Sequence, residues 1–372
     1  MDLFVFLEIF EREGGIQSYV KDIFRAYLKL AQGEPHRQAE VFLLRDGESC
    51  VNPFEGHPEL QFRYFKDTPA WRGRIRLGAA LGSALLFKRP QRVFCGHINL
   101  APLVRMLCQP LGIPYTVLTY GKEVWETLPL ADRQALQRAD RIWTISRYSR
   151  DRASQANQVE PQKFDMLSCA IDGEAFTPGP KPQHLIERYH LADAKVLMTV
   201  ARLWPGDIYK GVDVTIRALP RIAQIFPEVK YLVIGRGDDQ PRLAQLAQDL
   251  GVSSRVVFAG FVPTEDLVDH YRVADAYIMP SQEGFGIVYL EAMACGVPVL
   301  SGNSDGSADP LQDGRLGWQV PHRDPDAVAE ACIEILKGED QRCDGQFLRQ
   351  EAIAGFGQEA LVNQLAKLLH AK

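Results

Sequence analysis

The chain has 372 residues, of which 46% are hydrophobic, 24% charged and 9% aromatic, a globular composition that excludes a largely disordered protein. Its formal net charge of −5 argues against a dedicated nucleic-acid binder, because such proteins carry an excess of basic residues. At about 100–200 residues per domain, the length predicts two domains.

Short apolar strands alternate with helical segments through the first half of the chain. Strands are predicted at 3–7, 39–44, 92–95, 115–119 and 141–145, and helices at 16–30 and 132–139. Continuous apolar strands joined by helices indicate a parallel sheet covered on both faces. The N-terminus lacks a basic stretch, no apolar run is long enough to span a membrane, and the seven cysteines form no C-x-x-C pair. We therefore expect a cytoplasmic protein without a disulfide framework or a zinc cluster.

Loops that follow these strands contain candidate ligand contacts. Gly14 and Gly15 precede the first helix, where unpaired backbone N–H groups would favour a phosphate. His97 follows the third strand and has two interpretations, one as a proton acceptor or sugar contact and one as a structural histidine. Tyr120 follows the fourth strand and is a poor base at neutral pH, because an unperturbed phenol stays protonated.

Residues 68–92 contain basic side chains and no acid, the basic ones being Arg72, Arg74, Arg76, Lys88, Arg89 and Arg92. An apolar stretch at 75–87 lies between the two basic clusters. One interpretation is an interfacial helix within 71–92 that docks on anionic lipid at the inner face of a membrane. The other, which we favour, is a helix of the first domain that packs on the sheet and has charged ends.

A turn-rich segment at 172–182 contains three prolines and interrupts the helix and strand patterns. It predicts an N-terminal domain over 1–176 and a C-terminal domain over 177–355. Charge is divided unevenly, since residues 1–180 hold 23 basic and 21 acidic side chains and the rest of the chain holds 19 and 26.

The second half repeats the alternation, with strands predicted at 195–200, 229–234, 255–259, 276–279 and 297–301 and helices at 212–226, 241–250 and 287–295. The predicted fold class is therefore α/β, with two doubly wound, Rossmann-like domains that face each other across an interdomain cleft. Open parallel sheets bind ligands outside the carboxyl ends of their strands, so such a cleft suits two substrates.

Two loops of the second half have the residue types of a nucleotide diphosphate site. Arg202 and Lys210 follow the strand at 195–200, and two cations at a strand end suit a diphosphate. Gly235 begins a Gly-x-Gly loop after the next strand. We interpret this loop as a lining of the nucleotide pocket rather than a dinucleotide fingerprint, because the third glycine is missing.

The strongest motif lies within 280–299, where a glycine-rich turn at 284–286 leads into a helix that begins near Ile287. The free N–H groups and the dipole at the start of a helix favour a phosphate. Glu283 precedes this helix and Glu291 lies on its second turn, in an E-x7-E spacing. Apolar neighbours predict that Glu291 is buried, and ribose hydroxyls are suitable partners for a buried carboxylate.

Taken in order, these motifs resemble the retaining glycosyltransferases of family four, which have the GT-B fold. The resemblance rests on Arg202 with Lys210-Gly211, Gly235-x-Gly237, Phe258-x-Gly260-Phe261-Val262, Ala274-Asp275, and Glu283-Gly284-Phe285-Gly286 through Glu291 to Pro298-Val299. It implies transfer of a hexose from a nucleotide diphosphate sugar, GDP-mannose or a UDP-hexose, to a hydroxyl of a glycan or lipid-linked acceptor. It also implies that neither a metal nor a cofactor takes part.

The resemblance further implies roles for individual residues. Arg202 and Lys210 would hold the donor diphosphate and stabilise the leaving group, Glu283 would face the hydroxyls of the donor sugar, and Glu291 would bind the ribose. The other implied donor contacts are the backbone of Phe285, Gly286 and Ile287, the base contacts Phe261 and Val262, and the Gly14-Gly15 loop near the diphosphate.

On the acceptor side, Tyr120 stands where family members often have a histidine, so the role of that histidine is not carried over. The acceptor-side candidates are His97, Tyr120, Glu123, Ser146 and Arg147. In this fold the last helix crosses back, so residues 356–372 are expected to pack on the N-terminal domain.

Two other functional classes stay open, an epimerase or phosphorylase that acts on nucleotide sugars with the same fold and a non-catalytic protein that binds sugar nucleotides. The combination of Arg202 and Lys210 with the E-x7-E spacing argues against the epimerase, and a phosphorylase would need a lysine in a cofactor-binding context and usually a much longer chain. The presence of the complete set of charged site residues, Arg202, Lys210, Glu283 and Glu291, argues against a non-catalytic binding protein.

Overall fold

The computed structural model describes residues 1–12, 14–34 and 36–370, and it divides the chain into two compact units. Unit 1 comprises Met1–Ala170 together with the C-terminal residues from Glu359 onward, and unit 2 comprises Ile171–Gln358. Each unit has its own parallel sheet and hydrophobic core. The predicted α/β class with two doubly wound sheets is confirmed.

Unit 1 contains a seven-stranded sheet in the order β3-β2-β1-β4-β5-β6-β7, and every pair of neighbouring strands is parallel. The strands are β1 (Asp2–Phe6), β2 (Ala39–Leu43), β3 (Leu60–Tyr64), β4 (Arg92–Cys95), β5 (Tyr115–Thr119), β6 (Arg141–Thr144) and β7 (Phe164–Met166). The helices are α1 (Gly15–Gly33), α2 (Ala70–Phe87), α3 (Ala101–Cys108), α4 (Leu130–Arg138), α5 (Arg147–Asn157) and the C-terminal α13 (Gln358–His370).

Aromatic side chains fill one face of this sheet because β1 and β4 lie side by side with phenylalanines in register. Phe4 stacks on Phe94 with ring centroids 4.6 Å apart, and Phe24 of α1 contacts Phe4 edge-on at 5.9 Å. Burial of such rings is among the largest apolar contributions to folding. It holds the central strands rigidly, so the loops at their carboxyl ends start from fixed positions.

Unit 2 contains a six-stranded parallel sheet in the order β10-β9-β8-β11-β12-β13. The strands are β8 (Lys195–Val200), β9 (Val229–Ile234), β10 (Val256–Gly260), β11 (Ala276–Met279), β12 (Val299–Gly302) and β13 (Trp318–Val320). The helices are α6 (Gln183–Tyr189), α7 (Val212–Ile225), α8 (Gln240–Asp249), α9 (Thr264–Val273), α10 (Ile287–Ala294), α11 (Pro325–Lys337) and α12 (Gly345–Phe356).

The end of the chain belongs to unit 1 through α13. Glu359 forms an ion pair with Lys29 of α1, and the side chain of Gln364 accepts a hydrogen bond of 3.2 Å from the backbone N–H of Ser168. The last two residues of the helix predicted at 356–372 lie outside the described residues. No helix in the described part of the chain is long and apolar enough to cross a membrane.

Candidate functional site

The chemistry-bearing loops of unit 2 all follow the carboxyl ends of neighbouring parallel strands. Arg202 and Lys210 follow β8, Gly235 follows β9, Phe261 follows β10 and Glu283 follows β11. The strands are parallel and adjacent, so these loops emerge at one edge of one sheet. This edge is the candidate donor site.

Lys210 and Glu283 form an ion pair at the centre of this edge. Only 17% of each side chain is exposed, so water screens the pair weakly. Burial of the ammonium acts to lower the pKa of Lys210, but the adjacent carboxylate of Glu283 outweighs it and raises that pKa above its ordinary value. Lys210 is therefore a permanent cation, and its charge is balanced by one specific carboxylate.

Close backbone packing between two loops brings this pair together. Gly211, at the start of α7, has a φ of 76°, and a Cβ at this position would lie 2.6 Å from the carbonyl oxygen of Pro280. The backbone N–H of Gln282 donates a 3.1 Å hydrogen bond to the carbonyl oxygen of Tyr209. The glycine that follows Lys210 thus allows the two loops to touch, and this contact positions both charges.

Arg202 lies at the same strand end but makes a different contact. Its Nη2 atom is 3.0 Å from Oδ2 of Asp207, and 71% of its side chain is exposed. An exposed ion pair of this kind contributes little stability. The guanidinium is therefore accessible to an anionic ligand at small cost.

Helix α10 begins where the glycine-rich turn predicts. Gly286 caps it with a φ of 87°, a left-handed conformation that favours glycine, and Ile287 is the first helical residue. The side chain of Phe285 is buried against the ring of Phe356, with centroids 5.7 Å apart. Because that side chain is occupied by packing, only the backbone of Phe285 is suited to a ligand contact.

Glu291 lies on the second turn of α10 and is half-buried. The hydroxyl of Tyr271 donates a 2.7 Å hydrogen bond to its Oε2 atom. Burial raises the pKa of Glu291, and the hydrogen bond from Tyr271 partly opposes this rise. Tyr271 thus orients the carboxylate, a contact that the sequence motifs do not reveal.

The Gly235-x-Gly237 loop packs directly on the loop that follows β8. A Cβ on Gly235 would overlap the carbonyl oxygen of Ala201, so glycine is needed there for close packing. Between the two glycines, the guanidinium of Arg236 lies over the exposed ring of Phe261 at 4.9 Å from the centroid. Val262, the other predicted base contact, is half-buried. An exposed aromatic ring at a strand end is a suitable stacking surface for a base.

Asp305 is a site residue that sequence reasoning missed. Only 3% of it is exposed, and its Oδ2 atom accepts a 2.7 Å hydrogen bond from the backbone N–H of Glu283. The neighbouring Gly306 donates its N–H to the carbonyl oxygen of Glu283 at 2.8 Å. Burial raises the pKa of Asp305 to about 6, against the opposing effect of hydrogen bonds from Ser307 and Glu283.

In unit 1, His97 lies at the end of β4 and its ring has a defined orientation. Its Nδ1 atom accepts a 3.1 Å hydrogen bond from the backbone N–H of Asn99. Burial lowers the pKa of His97, and the charge of Arg45 lowers it further. A neutral ring that accepts at Nδ1 carries its proton on Nε2. This geometry favours a hydrogen-bond donor to a ligand over a proton acceptor.

Tyr120 and Glu123 are both engaged in contacts within unit 1. The buried hydroxyl of Tyr120 donates a 2.7 Å hydrogen bond to the carbonyl oxygen of Gly96, and burial raises its pKa well above the ordinary value. The carboxylate of Glu123 accepts hydrogen bonds from the backbone N–H groups of Tyr120 and Gly121. Burial raises the pKa of Glu123, and these backbone donors oppose that rise. Both side chains stabilise the loop after β5.

Ser146 caps α5, because its buried hydroxyl oxygen accepts a 3.0 Å hydrogen bond from the backbone N–H of Ser149. Arg147 is exposed at the first position of that helix. Gly14 caps α1, and among the described residues nothing lies within 4 Å of where a Cβ on Gly15 would stand. The open space at Gly15 suits the close approach of a ligand. Glu13, which directly precedes Gly14 in the sequence, lies outside the described residues.

Helix α2, which overlaps most of the basic segment at 71–92, has two different faces. Leu77, Leu81 and Leu85 are buried in the core of unit 1, as the packed-helix interpretation predicts. On the other face, 55% of Trp71 and 62% of Ile75 are exposed. The exposed basic residues of this segment are Arg72, Arg74, Arg76, Lys88 and Arg89. An apolar strip flanked by cations is typical of a surface that contacts anionic lipid.

The described residues contain no group of three or more His, Cys, Asp or Glu side chains placed to hold a metal ion. The metal independence implied by the resemblance stays a prediction.

A family model described as Glycosyl transferases group 1 matches residues 194–338, which lie within unit 2. The chain is 38% identical over 59% of its length to a GDP-mannose-dependent alpha-(1-6)-phosphatidylinositol monomannoside mannosyltransferase of Mycolicibacterium smegmatis, and the alignment covers 59% of that relative. A GDP-mannose-dependent monoacylated alpha-(1-6)-phosphatidylinositol monomannoside mannosyltransferase of Corynebacterium glutamicum is 32% identical over 97% of this chain and 95% of its own length.

Among solved structures, Anabaena Alr3699/HepE in complex with UDP superposes with a TM-score of 0.79 at 20% identity, over 99% of both chains. At that identity the likeness shows the fold alone, which is GT-B. The nearly full-length match to the Corynebacterium relative and the family model together show that the chain belongs to the group 1 glycosyl transferases, and it is therefore an enzyme of the glycosyltransferase class.

Proposed function

We propose that this glycosyltransferase moves a mannosyl residue from GDP-mannose to a hydroxyl of an inositol-containing lipid, with retention of anomeric configuration and without a metal. Group 1 glycosyltransferases act on nucleotide sugars. The observation that carries the proposal is the partly buried ion pair of Lys210 with Glu283, close in sequence to the start of α10 and at the same sheet edge as Arg202.

The leaving group is GDP, so the bond that breaks joins the anomeric carbon to an oxygen of the β-phosphate. The electron pair of that bond stays on the phosphate oxygen, and negative charge grows there in the transition state. Lys210 and Arg202 supply positive charge near that oxygen, and the N–H groups at the start of α10 add a favourable dipole. Groups that bind the transition state more tightly than the ground state raise kcat.

Glu283 and Lys210 exchange partners when the donor binds. Lys210 moves its interaction from the carboxylate to the diphosphate, and Glu283 accepts hydrogen bonds from the hydroxyls of the sugar. The acceptor hydroxyl then attacks from the face that the leaving group vacates, and its proton passes to the departing phosphate oxygen. This same-face substitution retains the configuration, and it needs no enzymatic nucleophile.

Ribose and base contacts complete the donor site. Glu291, oriented by Tyr271, accepts hydrogen bonds from the ribose hydroxyls. The guanine stacks on the ring of Phe261, which stays largely exposed although the guanidinium of Arg236 lies over it. The two mannosyltransferase relatives are named as GDP-mannose-dependent, which supports GDP over UDP.

We propose further that α2 rests on an anionic bilayer from which the lipid acceptor is taken. Trp71 and Ile75 would enter the interface, and the flanking arginines would pair with lipid phosphates. The names of the same relatives, which include phosphatidylinositol monomannoside, support an acceptor that resides in a membrane.

A direct assay tests donor, acceptor and stereochemistry together. The purified chain is incubated with vesicles that contain phosphatidylinositol monomannoside and with radiolabelled GDP-mannose or UDP-glucose, with and without EDTA. We expect lipid product from GDP-mannose at least about 100-fold faster than from UDP-glucose, unchanged by EDTA and with an α linkage by NMR. A preference for UDP-glucose, a β linkage or loss of activity in EDTA would each contradict the corresponding part of the proposal.

Cosedimentation with vesicles of phosphatidylglycerol and phosphatidylcholine tests the role of α2. Changing Arg72, Arg74 and Arg76 to Gln should weaken binding by about 1 kcal/mol per charge at low salt. The control for a charge lost elsewhere is Arg217→Gln, which removes one exposed arginine from α7 of unit 2. If the loss of binding per charge in the triple variant equals that of the control, docking through α2 is refuted.

A further inference from the structure

The loop that carries Glu283 is held by a second loop, at the end of the neighbouring strand β12. Asp305 and Gly306 bind the two peptide groups of Glu283, one through its N–H at 2.7 Å and the other through its carbonyl oxygen at 2.8 Å. A residue fixed at both its N–H and its C=O has little freedom to rotate, so its side chain leaves the backbone in one direction.

The backbones of the two loops are in direct contact, with no space for a side chain at two glycine positions. A Cβ on Gly306 would overlap the carbonyl oxygen of Gly284, so the loops meet backbone to backbone. A Cβ on Gly302 would likewise overlap the carbonyl oxygen of Ser281. The contact therefore depends on glycine at both positions, and its alignment is set by Asp305.

Asp305 is itself held in place by several donors. Its Oδ1 atom accepts hydrogen bonds from the backbone N–H of Ser307, at 2.9 Å, and from the Ser307 hydroxyl. Its Oδ2 atom accepts from the N–H of Glu283, and the hydroxyl of Ser281 lies 3.4 Å away. A buried carboxylate this well supplied with donors is a rigid point of attachment.

We propose that Asp305 is a positioning residue for the transfer reaction, which sets the direction of the Glu283 carboxylate toward the donor sugar and toward Lys210. The inference rests on the proposed function, because it takes the role of Glu283 as given. Asp305 does not touch the substrate. It acts through the peptide group of Glu283, and misplacement of a contact group by about 1 Å can cost about 100-fold in rate.

A double-mutant cycle in kcat tests this inference, with GDP-mannose and the lipid acceptor as substrates. The variants are Glu283→Gln, Asp305→Asn and the two together, with GDP affinity measured by calorimetry. We expect Asp305→Asn to lower kcat by about 10- to 100-fold while the Kd for GDP changes by less than about threefold. In the Glu283→Gln background the same change should lower kcat by less than about threefold, because the residue through which Asp305 acts is already disabled.

Ser307→Ala gives a milder second perturbation that removes one donor to Asp305 and keeps the carboxylate. Its matched control is Ser304→Ala, which removes an exposed hydroxyl from the same loop. We expect Ser307→Ala to lower kcat several-fold in the wild-type protein and the control to leave kcat unchanged. In the Glu283→Gln background, Ser307→Ala should have little further effect on kcat.

The outcomes distinguish the positioning role of Asp305 from the proposed role of Glu283 in binding the donor sugar. Suppose that Glu283→Gln lowers kcat strongly and that Asp305→Asn or Ser307→Ala lowers kcat by the same factor with and without it. The substitutions then act independently, so the positioning role is overturned and the proposed function stands. If Glu283→Gln leaves kcat unchanged, the proposed role of Glu283 is overturned, and the inference about Asp305 falls with it.

Discussion

Replacing Asp305 with Asn should make the stability of unit 2 less dependent on pH. Burial raises the pKa of Asp305 from its ordinary 3.8 to about 6, so the folded protein holds this proton more tightly than the unfolded chain does. The stabilising contribution of the protonated group is complete below about pH 3.8 and is lost as the pH rises through about 6. Asn does not ionise, so the stability of the Asp305→Asn variant does not fall in this way as the pH rises.

The magnitude follows from the pKa difference. At about 1.4 kcal/mol per pH unit, the ionised carboxylate costs about 3 kcal/mol of unfolding free energy at high pH, of which about 1.5 kcal/mol develops between about pH 5 and about pH 8. The wild-type protein should therefore lose about 1.5 kcal/mol relative to the variant across that interval.

Urea unfolding at a series of pH values measures this difference through tryptophan fluorescence, since Trp318 is buried in unit 2. Any change in hydrogen bonding caused by Asn is a constant offset and does not affect the slope. The matched control is Asp238→Asn, which makes the same chemical change at an exposed position. A difference that is flat with pH, or that rises in favour of the wild type, would refute the reasoning.

Three further results are expected. Lys210→Met should lower kcat by about 100- to 1,000-fold in steady-state assays, because it removes a cation that stabilises the leaving group, and near-normal kcat would exclude that role. Tyr271→Phe should weaken GDP binding by about 1 kcal/mol in calorimetry, because it frees the Glu291 carboxylate to rotate, and unchanged affinity would show that this orientation does not matter. Phe261→Ala should weaken GDP binding by about 1–3 kcal/mol and leave the binding of inorganic pyrophosphate unchanged, whereas equal losses for both ligands would contradict base stacking.

The sequence predicts most strands of the two sheets, because a continuous apolar run bounded by turn residues is a clear pattern. The three strands it does not predict are β3, β7 and β13. In β3 two exposed residues alternate with one buried and two half-buried residues, and the other two strands have only three residues each. Strands that are short, or that mix polar and apolar residues, form because they pair with neighbouring strands, so their own sequence carries little signal.

The candidate site is predictable to the level of the strand end and no further. Parallel strands bring their carboxyl ends to one edge, so motifs placed there by sequence must lie near one another. Contacts between individual side chains cannot be predicted in this way, because nothing local in the chain indicates that Lys210 contacts Glu283 or that Tyr271 contacts Glu291. Asp305 has a local signal, because aspartate favours turns in which its side chain accepts a hydrogen bond from the backbone N–H two residues on, here that of Ser307. That signal does not show which other loop the turn supports.

The ion pair of Lys210 with Glu283 has a consequence for which anions the empty enzyme admits. A cell contains abundant free phosphate, and a bare cation at a strand end would attract it. Here phosphate must displace Glu283 from Lys210, and it offers that carboxylate no donors beyond its own hydroxyls. A sugar nucleotide brings a diphosphate for the lysine and several hydroxyls for the glutamate in one molecule, so it compensates both partners at once. If Lys210 and Glu283 have the donor-binding roles proposed above, their ion pair favours the sugar nucleotide over simpler anions that are present in large excess.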